Sequence, residues 1–451
     1  MSHSISKNFN FFSLFAFALP TMAMMVLVSL YTIVDGIFIS HYLGSNALSA
    51  TNIVFPIINV LLAVGIMLST GGNAIIAKKF GENKPREARE NFSLIILTAV
   101  LFGVFVLILG LLFVEEIVML LGATPILMDD CVTYLEIMMY FAPACMLQVQ
   151  FQTFFVTAGK PSIGLVLAIA GGVSNIFLDY LFLGPLNMGI EGAALGSGAS
   201  QLIPAVFGVV YFFTVKKELY FVRPKFDKGV LIKSCGNGSS EMIGNLSTAV
   251  VTYLFNVMML RFLGEDGVAA ITIAMYGQFL FNAMYLGFSM GVAPVFSYNY
   301  GLKNVNMMTR LFKICIRFVC ISSVAISILA IWGSPFIVEV FSPKGTNTYE
   351  IGAYGLVLFA FNYLFAGFNT FSSALFTAYS NGVVSAVISF LRTCGFLVAS
   401  ILILPEIIGV PGIWISVPVA EGLTSFISAF FLIKHKISKG YKYAPKNSAP
   451  Q

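Results

Sequence analysis

Five ionisable side chains interrupt stretches that are otherwise apolar: Asp35, Asp179, Glu241, Arg392 and Glu421. Each costs at least about 2.5–3.5 kcal/mol at membrane depth on insertion scales, so each needs a partner or a task. Asp35 lies in Leu30-Tyr31-Thr32-Ile33-Val34-Asp35-Gly36. Asn175 and Asp179 stand at i and i+4, hence on one helix face, and Ser197 and Gln201 repeat that spacing. Among Phe and Met side chains a bare carboxylate is disfavoured, so it takes up a proton or Na+ from one side and releases it to the other. That is the chemistry of ion exchange, with Asp35, Asn175, Asp179 and Ser197 as its candidate ligands. The alternative is that Asp35 and Asp179 only bond to neighbouring Ser, Asn and Gln to hold the helices together.

Arg392 at such depth requires a carboxylate, and either Glu421 or Glu241 can supply it. The glutamate left over then becomes a candidate for a cationic ligand or a second ion. Gln148, Gln150, Tyr31, Gln201, Asn282 and Asn362 add polar groups that could face the same ligand, whereas Glu136 lies close enough to a boundary to reach water.

These groups are set in a chain of 451 residues that is 58% hydrophobic and only 10% charged, too little charge to cover a soluble globule of this size. Apolar stretches of the length that crosses a hydrocarbon core about 30 Å thick follow one another with short breaks. They are placed near 11–40, 50–77, 92–114, 131–157, 163–184, 192–215, 236–263, 268–298, 311–333, 350–378, 383–404 and 411–433. The first is longer than the apolar region of a signal peptide and is read as a retained span. Pro20, Pro56, Pro143, Pro204, Pro294 and Pro418 fall inside spans and mark bends. Pro20 precedes Asp35 on one helix and is the candidate hinge, with a static kink as the alternative.

Twelve spans put both termini on one side. The N-terminus, loops 78–91, 158–162, 216–235 and 299–317, and the tail from Lys434 hold 22 of the 25 Lys and Arg. The opposite loops carry acids instead, among them Glu115, Asp129, Glu191, Asp266 and Glu350. By the positive-inside rule both termini are cytoplasmic, and the net charge of +5 reflects topology and anionic lipid rather than a nucleic-acid partner.

Sliding the sequence along itself by 220 residues aligns its halves without gaps. Tyr42-Leu43-Gly44 falls on Phe262-Leu263-Gly264, Phe80-Gly81 on Tyr300-Gly301, Thr157-Ala158 on Thr377-Ala378, and Gly189 on Gly409. Six spans per copy make the repeats parallel, related by an axis along the membrane normal, an arrangement that places a substrate site between halves exposed to each side in turn. The expected fold is all-α and membrane-embedded, with twelve transmembrane helices in two six-helix lobes related by a pseudo-twofold axis. Its parts are an N-terminal lobe (1–215), a cytoplasmic linker (216–235), a C-terminal lobe (236–435) and a cytoplasmic tail (436–451). The same shift puts Phe255, Gly395 and Ala399 opposite Asp35, Asn175 and Asp179, so the skeleton repeats and the carboxylates do not.

Pro20 and Asp35 in the first span, Val34-Asp35-Gly36-Ile37-Phe38-Ile39 before Tyr42-Leu43-Gly44, and Asn175-xxx-Asp179 in the fifth resemble the MATE (multidrug and toxic compound extrusion) transporters, nearest their bacterial MepA-like group. The resemblance covers about residues 10–435. It implies a V-shaped pair of bundles in a bacterial cell membrane that exports organic cations or amphiphiles in exchange for H+ or Na+, as a monomer and without a cofactor. It also implies a cation site at Asp35, Asn175 and Asp179, with Ser197 as a hydroxyl ligand, and no other metal. Glu241 resembles in location a glutamate used by NorM-type members, but Asn362 and Asn369 occupy the tenth span where those members have an aspartate. A lipid-linked saccharide flippase is the alternative function; it would want several interior cations, and only Arg392 is present. The six cysteines form no CxxC pair, and His3, His41 and His435 lie at ends or loops, so an enzyme is not expected.

Overall fold

The computed structural model describes residues 4–443, with Ser4, Ser45 and residues 435–443 by backbone alone. Most of the expected tail, 436–451, and His3 thus lie outside what can be described in atomic detail. The first helical stretch, Phe11–Gly81, has 71 residues and would measure roughly 100 Å if straight, far more than a bilayer's hydrocarbon core. It breaks at Gly44, where φ is 84° and ψ is −174°, a backbone region essentially closed to residues with a side chain. The spans Phe11–Gly44 and Asn46–Gly81 result. Lys228–Gly301, with 74 residues, breaks in the same way at Gly264 (φ 66°, ψ −156°).

Six further helices are long and apolar enough to cross: Pro85–Leu112, Pro161–Leu183, Gly189–Thr214, Val305–Phe341, Gly382–Ile408 and Val410–Lys434. Two spans are bent pairs, Met128–Tyr140 with Ala142–Thr157 at 56° and Asn347–Ala360 with Tyr363–Ala378 at 49°. Among the described residues, with each pair as one span, the count is eleven, and dividing Lys228–Gly301 at Gly264 brings it to twelve. Sequence reasoning treats the bent spans as continuous over 131–157 and 350–378. Pro143 stands just inside the second segment of the first pair. The other pair has no proline at its break, and there Asn362 Nδ2 donates to the Phe359 carbonyl at 2.6 Å. Helix continues through Pro20, Pro56, Pro204, Pro294 and Pro418. The seventh span begins at Lys228, inside the stretch assigned to the linker, because the Asp227 carboxylate accepts from Gly229 and Val230 N–H at 2.8 and 3.2 Å and caps it.

The repeat is visible in the backbone. Positive φ occurs at Asn83 and Lys303, at Gly44 and Gly264, and at Gly189 and Gly409, three pairs 220 residues apart. Packing follows the same division. One apolar cluster joins both halves, running from Phe9, Ala18, Leu68 and Phe80 to Phe288, Val292 and Phe296. Three others stay within a half: Ile39, Val54, Tyr134 and Leu183 in the first, and Phe255, Phe359 and Trp414 together with a smaller group around Tyr285, Ile326 and Tyr363 in the second. The lobes therefore share a core at one end and keep separate cores towards the other, which gives the V shape.

Glycines permit the shared end to close. A Cβ at Gly287 would come 2.6 Å from Met22 Cα, and one at Gly291 would come 2.9 Å from Ala18 Cα. Gly81 rests on the Tyr298 carbonyl and Gly301 on the Lys78 carbonyl, a reciprocal pair under the repeat. Lys78 Nζ lies 5.2 Å from the Tyr300 ring centre, so this joined end is also the lysine-rich one.

Candidate functional site

Asp35 comes from the first span, Asn175 and Asp179 from the fifth, and Ser197 from the sixth, and the fold brings all four together. Ser197 Oγ donates to Asp35 Oδ1 at 3.2 Å. Asp179 and Asn175 stand beside Asp35 as well. Asp179 and Asn175 are 0% and 3% exposed, whereas Asp35 is half-buried and forms the accessible side of the group. No described side chain donates with good geometry to either oxygen of Asp179 or to Asn175 Oδ1. Two carboxylates thus face each other with no cationic side chain between them, and two bare negative charges so close in apolar surroundings repel strongly. The arrangement is relieved by a proton or a small cation shared between them.

Close packing fixes this geometry. Gly196 on the sixth span faces the Asp179 carboxylate at a distance that leaves no room for a Cβ. A Cβ at Gly172 would come 2.9 Å from the Tyr31 ring, so the fifth span lies flat against that ring. Tyr31 lies beside Gln148, and Tyr134, 6% exposed, lies beside Ser197. Tyr134, Gly172 and Gly196 are site residues that sequence reasoning missed. The run Gly189-Ile190-Glu191-Gly192-Ala193-Ala194-Leu195-Gly196-Ser197-Gly198 was the available signal for close helix contact. Nothing local in the sequence marks Tyr134.

The C-terminal half is wired differently. Arg392 sits in a single π-helical turn, Leu391–Gly395, a local widening that re-aims side chains. Its Nε donates to Glu421 Oε1 at 2.6 Å and a terminal nitrogen donates to Thr370 Oγ1 at 2.8 Å. Asn369 Nδ2 serves Glu421 Oε2 at 2.7 Å, and Ser428 donates to Asn369 Oδ1 at 3.0 Å. Between the two possible partners of Arg392 the structure selects Glu421. Glu241 is half-buried, takes a short hydrogen bond from Ser240 Oγ, and makes no ion pair among the described residues. At membrane depth, among the described residues, the N-terminal lobe therefore carries two carboxylates without a cationic partner, while the C-terminal lobe carries a neutral pair and one glutamate without an ion pair.

A family model described as MatE matches residues 20–181 and again residues 242–401, one match in each half. The chain belongs to the MatE family. The MatE chain is similar to the multidrug export protein MepA of Staphylococcus haemolyticus, 23% identical over 425 residues and 92% of either chain. It is also similar to the MepA of Staphylococcus saprophyticus, 25% identical over 325 residues and 71% of each. Among solved structures, the outward-facing conformation of a multidrug resistance MATE family transporter superposes with a TM-score of 0.90, at 19% identity and 98% coverage of both chains. A MATE in complex with MaL6 superposes at 0.88, with 20% identity, 95% of this chain and 96% of that one. At these identities the superpositions speak for the fold alone.

The remaining candidates of this MatE chain are dispersed. Gln150 is fully buried and gives its Nε2 to the Gly65 carbonyl at 2.9 Å, so it ties the fourth span to the second. Gln201, Asn282 and Asn362 each keep a buried side-chain oxygen without a donor among the described residues. Asn59 Nδ2 donates to the Asn245 carbonyl at 3.2 Å, and Asn245 Nδ2 in turn donates to the Glu241 carbonyl at 2.8 Å. That chain crosses from one half to the other beside Glu241.

Proposed function

We propose that this protein is a secondary active exporter of cationic or amphiphilic organic compounds, driven by exchange for H+ or Na+ through alternating access between its two lobes. The observation that carries the reading is the membrane-embedded Asp35 and Asp179 pair with no cationic side chain facing it. An inbound proton or Na+ neutralises the pair, and its release on the other side restores the repulsion. Either event changes the packing of the first span against the fifth and sixth, with Pro20 available to absorb movement in the first. Ion occupancy is thereby linked to which face of the cleft is open. The multidrug export proteins among the relatives support the substrate class.

Both termini are cytoplasmic in this reading, since the lysine-rich joined end then obeys the positive-inside rule and the V opens outward. Residues 1–215 and 236–435 are the two moving lobes, the cell membrane of a bacterium is the location, and the working unit is a monomer. Substrate is held in the cleft near Glu241, which makes no ion pair among the described residues, with Tyr31, Gln148, Gln201 and Asn282 as polar contacts; Asn362, fully buried, is not among them. The lipid-linked saccharide flippase is not favoured, because Arg392 is already neutralised by Glu421.

The test is efflux of a fluorescent organic cation from cells with pH and Na+ gradients imposed separately. Asp35→Asn and Asp179→Asn should each abolish the response to the gradient that drives the wild type, and that gradient names the ion. Wild-type export by both variants under every gradient refutes the assignment.

A further inference from the structure

The ninth span, Val305–Phe341, carries Arg310, Lys313 and Arg317 at its lysine-rich end, all exposed. Among the described residues none of them is paired with a carboxylate, although Lys79, Lys84 and Arg86 at the same end all are. The three line a groove of about 420 Å³ together with Phe11, Asn306, Thr309 and Ile314, where the start of the first span lies against the ninth. The helical spacing of the cations continues without interruption into Ile321, Val324, Ile328 and Trp332, which are 70%, 49%, 60% and 74% exposed. One face of this helix thus reads as three cations at the boundary followed by an apolar strip as long as an acyl chain. The groove also spans the two halves, since Phe15 of the first span meets Phe318 of the ninth with ring centres 5.3 Å apart.

The repeat supplies an internal comparison. At the equivalent positions of the other half, 220 residues earlier, Arg310, Lys313 and Arg317 are replaced by Glu90, Ser93 and Leu97. Positive charge needed only for membrane orientation would have no reason to gather on one helix face over a groove.

We propose that this groove binds one anionic phospholipid, its phosphate headgroup held by Arg310, Lys313 and Arg317 and its chains laid along Ile321 to Trp332. A lipid so placed touches both lobes at their joined end and favours the state in which that end is closed. The cytoplasmic orientation given above places the groove in the leaflet that carries anionic lipid. Binding by the purified protein does not depend on that orientation or on the exported substrate, so the two can fail separately.

The experiment is native mass spectrometry of the full chain in neutral detergent, titrated with phosphatidylglycerol and phosphatidylcholine of identical chains. Near a membrane surface each cation contributes about fivefold in affinity, so the preference for the anionic lipid should be on the order of a hundredfold and should vanish in R310Q/K313Q/R317Q. K313Q alone should lose about fivefold, and R310K/R317K should keep the preference. R223Q/K225Q/K233Q, which removes three exposed cations outside the groove, should bind as the wild type does. The proposal is overturned if K313Q and the triple groove variant retain wild-type preference, or if the control triple loses as much as the groove triple. It is equally overturned if inorganic phosphate raises thermal stability as much as phosphatidylglycerol does, which would make this a site for free phosphate.

Discussion

Replacing Gly287 with alanine should open the joined end of the lobes while leaving each lobe folded. The added Cβ would stand 2.6 Å from Met22 Cα and 2.7 Å from the Thr21 carbonyl oxygen. Ordinary contact between carbon atoms is about 3.5–4.0 Å, so the first and eighth spans must part by about 1 Å. Both obstructing atoms belong to a helix backbone, which cannot turn aside as a side chain can. Overpacking of this kind costs about 1–3 kcal/mol. Charged against the state closed at this end, that lowers its population relative to the open state by about fivefold to somewhat over a hundredfold. Hydrogen exchange of the purified protein is the assay, read at the backbone amides near Lys78 and Tyr298. These should exchange faster by that factor, while amides in the separate cores around Tyr134 and Trp414 keep their wild-type rates. Gly244→Ala is the control, since a Cβ there meets nothing within 4 Å. Identical exchange in Gly287→Ala and Gly244→Ala would refute the idea that glycine contact sets the closed state.

Two further outcomes follow from the sites within each lobe. Arg392→Gln leaves the 3% exposed Glu421 without its cation and should destabilise the protein by about 3–5 kcal/mol. In R392Q/E421Q much of that loss should return, and thermal unfolding of the four proteins of this cycle checks it, additive losses arguing against a coupled pair. Gly196→Ala should displace the Asp179 carboxylate and weaken ion-driven efflux at least tenfold without lowering thermal stability by more than the overpacking cost of about 1–3 kcal/mol; unimpaired efflux would show that the position of Asp179 is not critical.

Long-range architecture was legible because the bilayer imposes coarse rules. Twenty apolar residues make a span, and the register shared by Gly44 with Gly264 and by Gly189 with Gly409 announces a duplicated skeleton. The site was legible in part for the same reason, since a carboxylate among apolar residues is costly enough to be conspicuous. Asp35, Asn175, Asp179 and Ser197 do meet. What stayed hidden depends on the distance between helices rather than on the identity of any residue. Tyr134 stands beside Ser197 from a helix whose local sequence is unremarked, and Gly196 matters only because Asp179 lies across from it. The choice of Glu421 over Glu241 by Arg392 rests on a π-helical turn at Leu391–Gly395, and nothing in that pentapeptide specifies a change of winding. Prolines were an incomplete guide to the sharp bends, since one bend falls beside Pro143 while the other falls beside Asn362, where no proline stands.

In the proposed alternating-access reading, the division of the apolar core into one shared cluster and private ones within each half makes the molecule a lever with its fulcrum at one end. The second span, Asn46–Gly81, has 36 residues and so an arm of about 54 Å. A tilt of about 10° at the fulcrum sweeps the far tip through an arc of about 9 Å over that length. Little surface near the pivot would have to be rearranged for such a swing, and no private core would be disturbed. If the proposed exchange operates this way, cargo of quite different bulk would pass through one and the same stroke, because the width of the mouth would be a matter of angle.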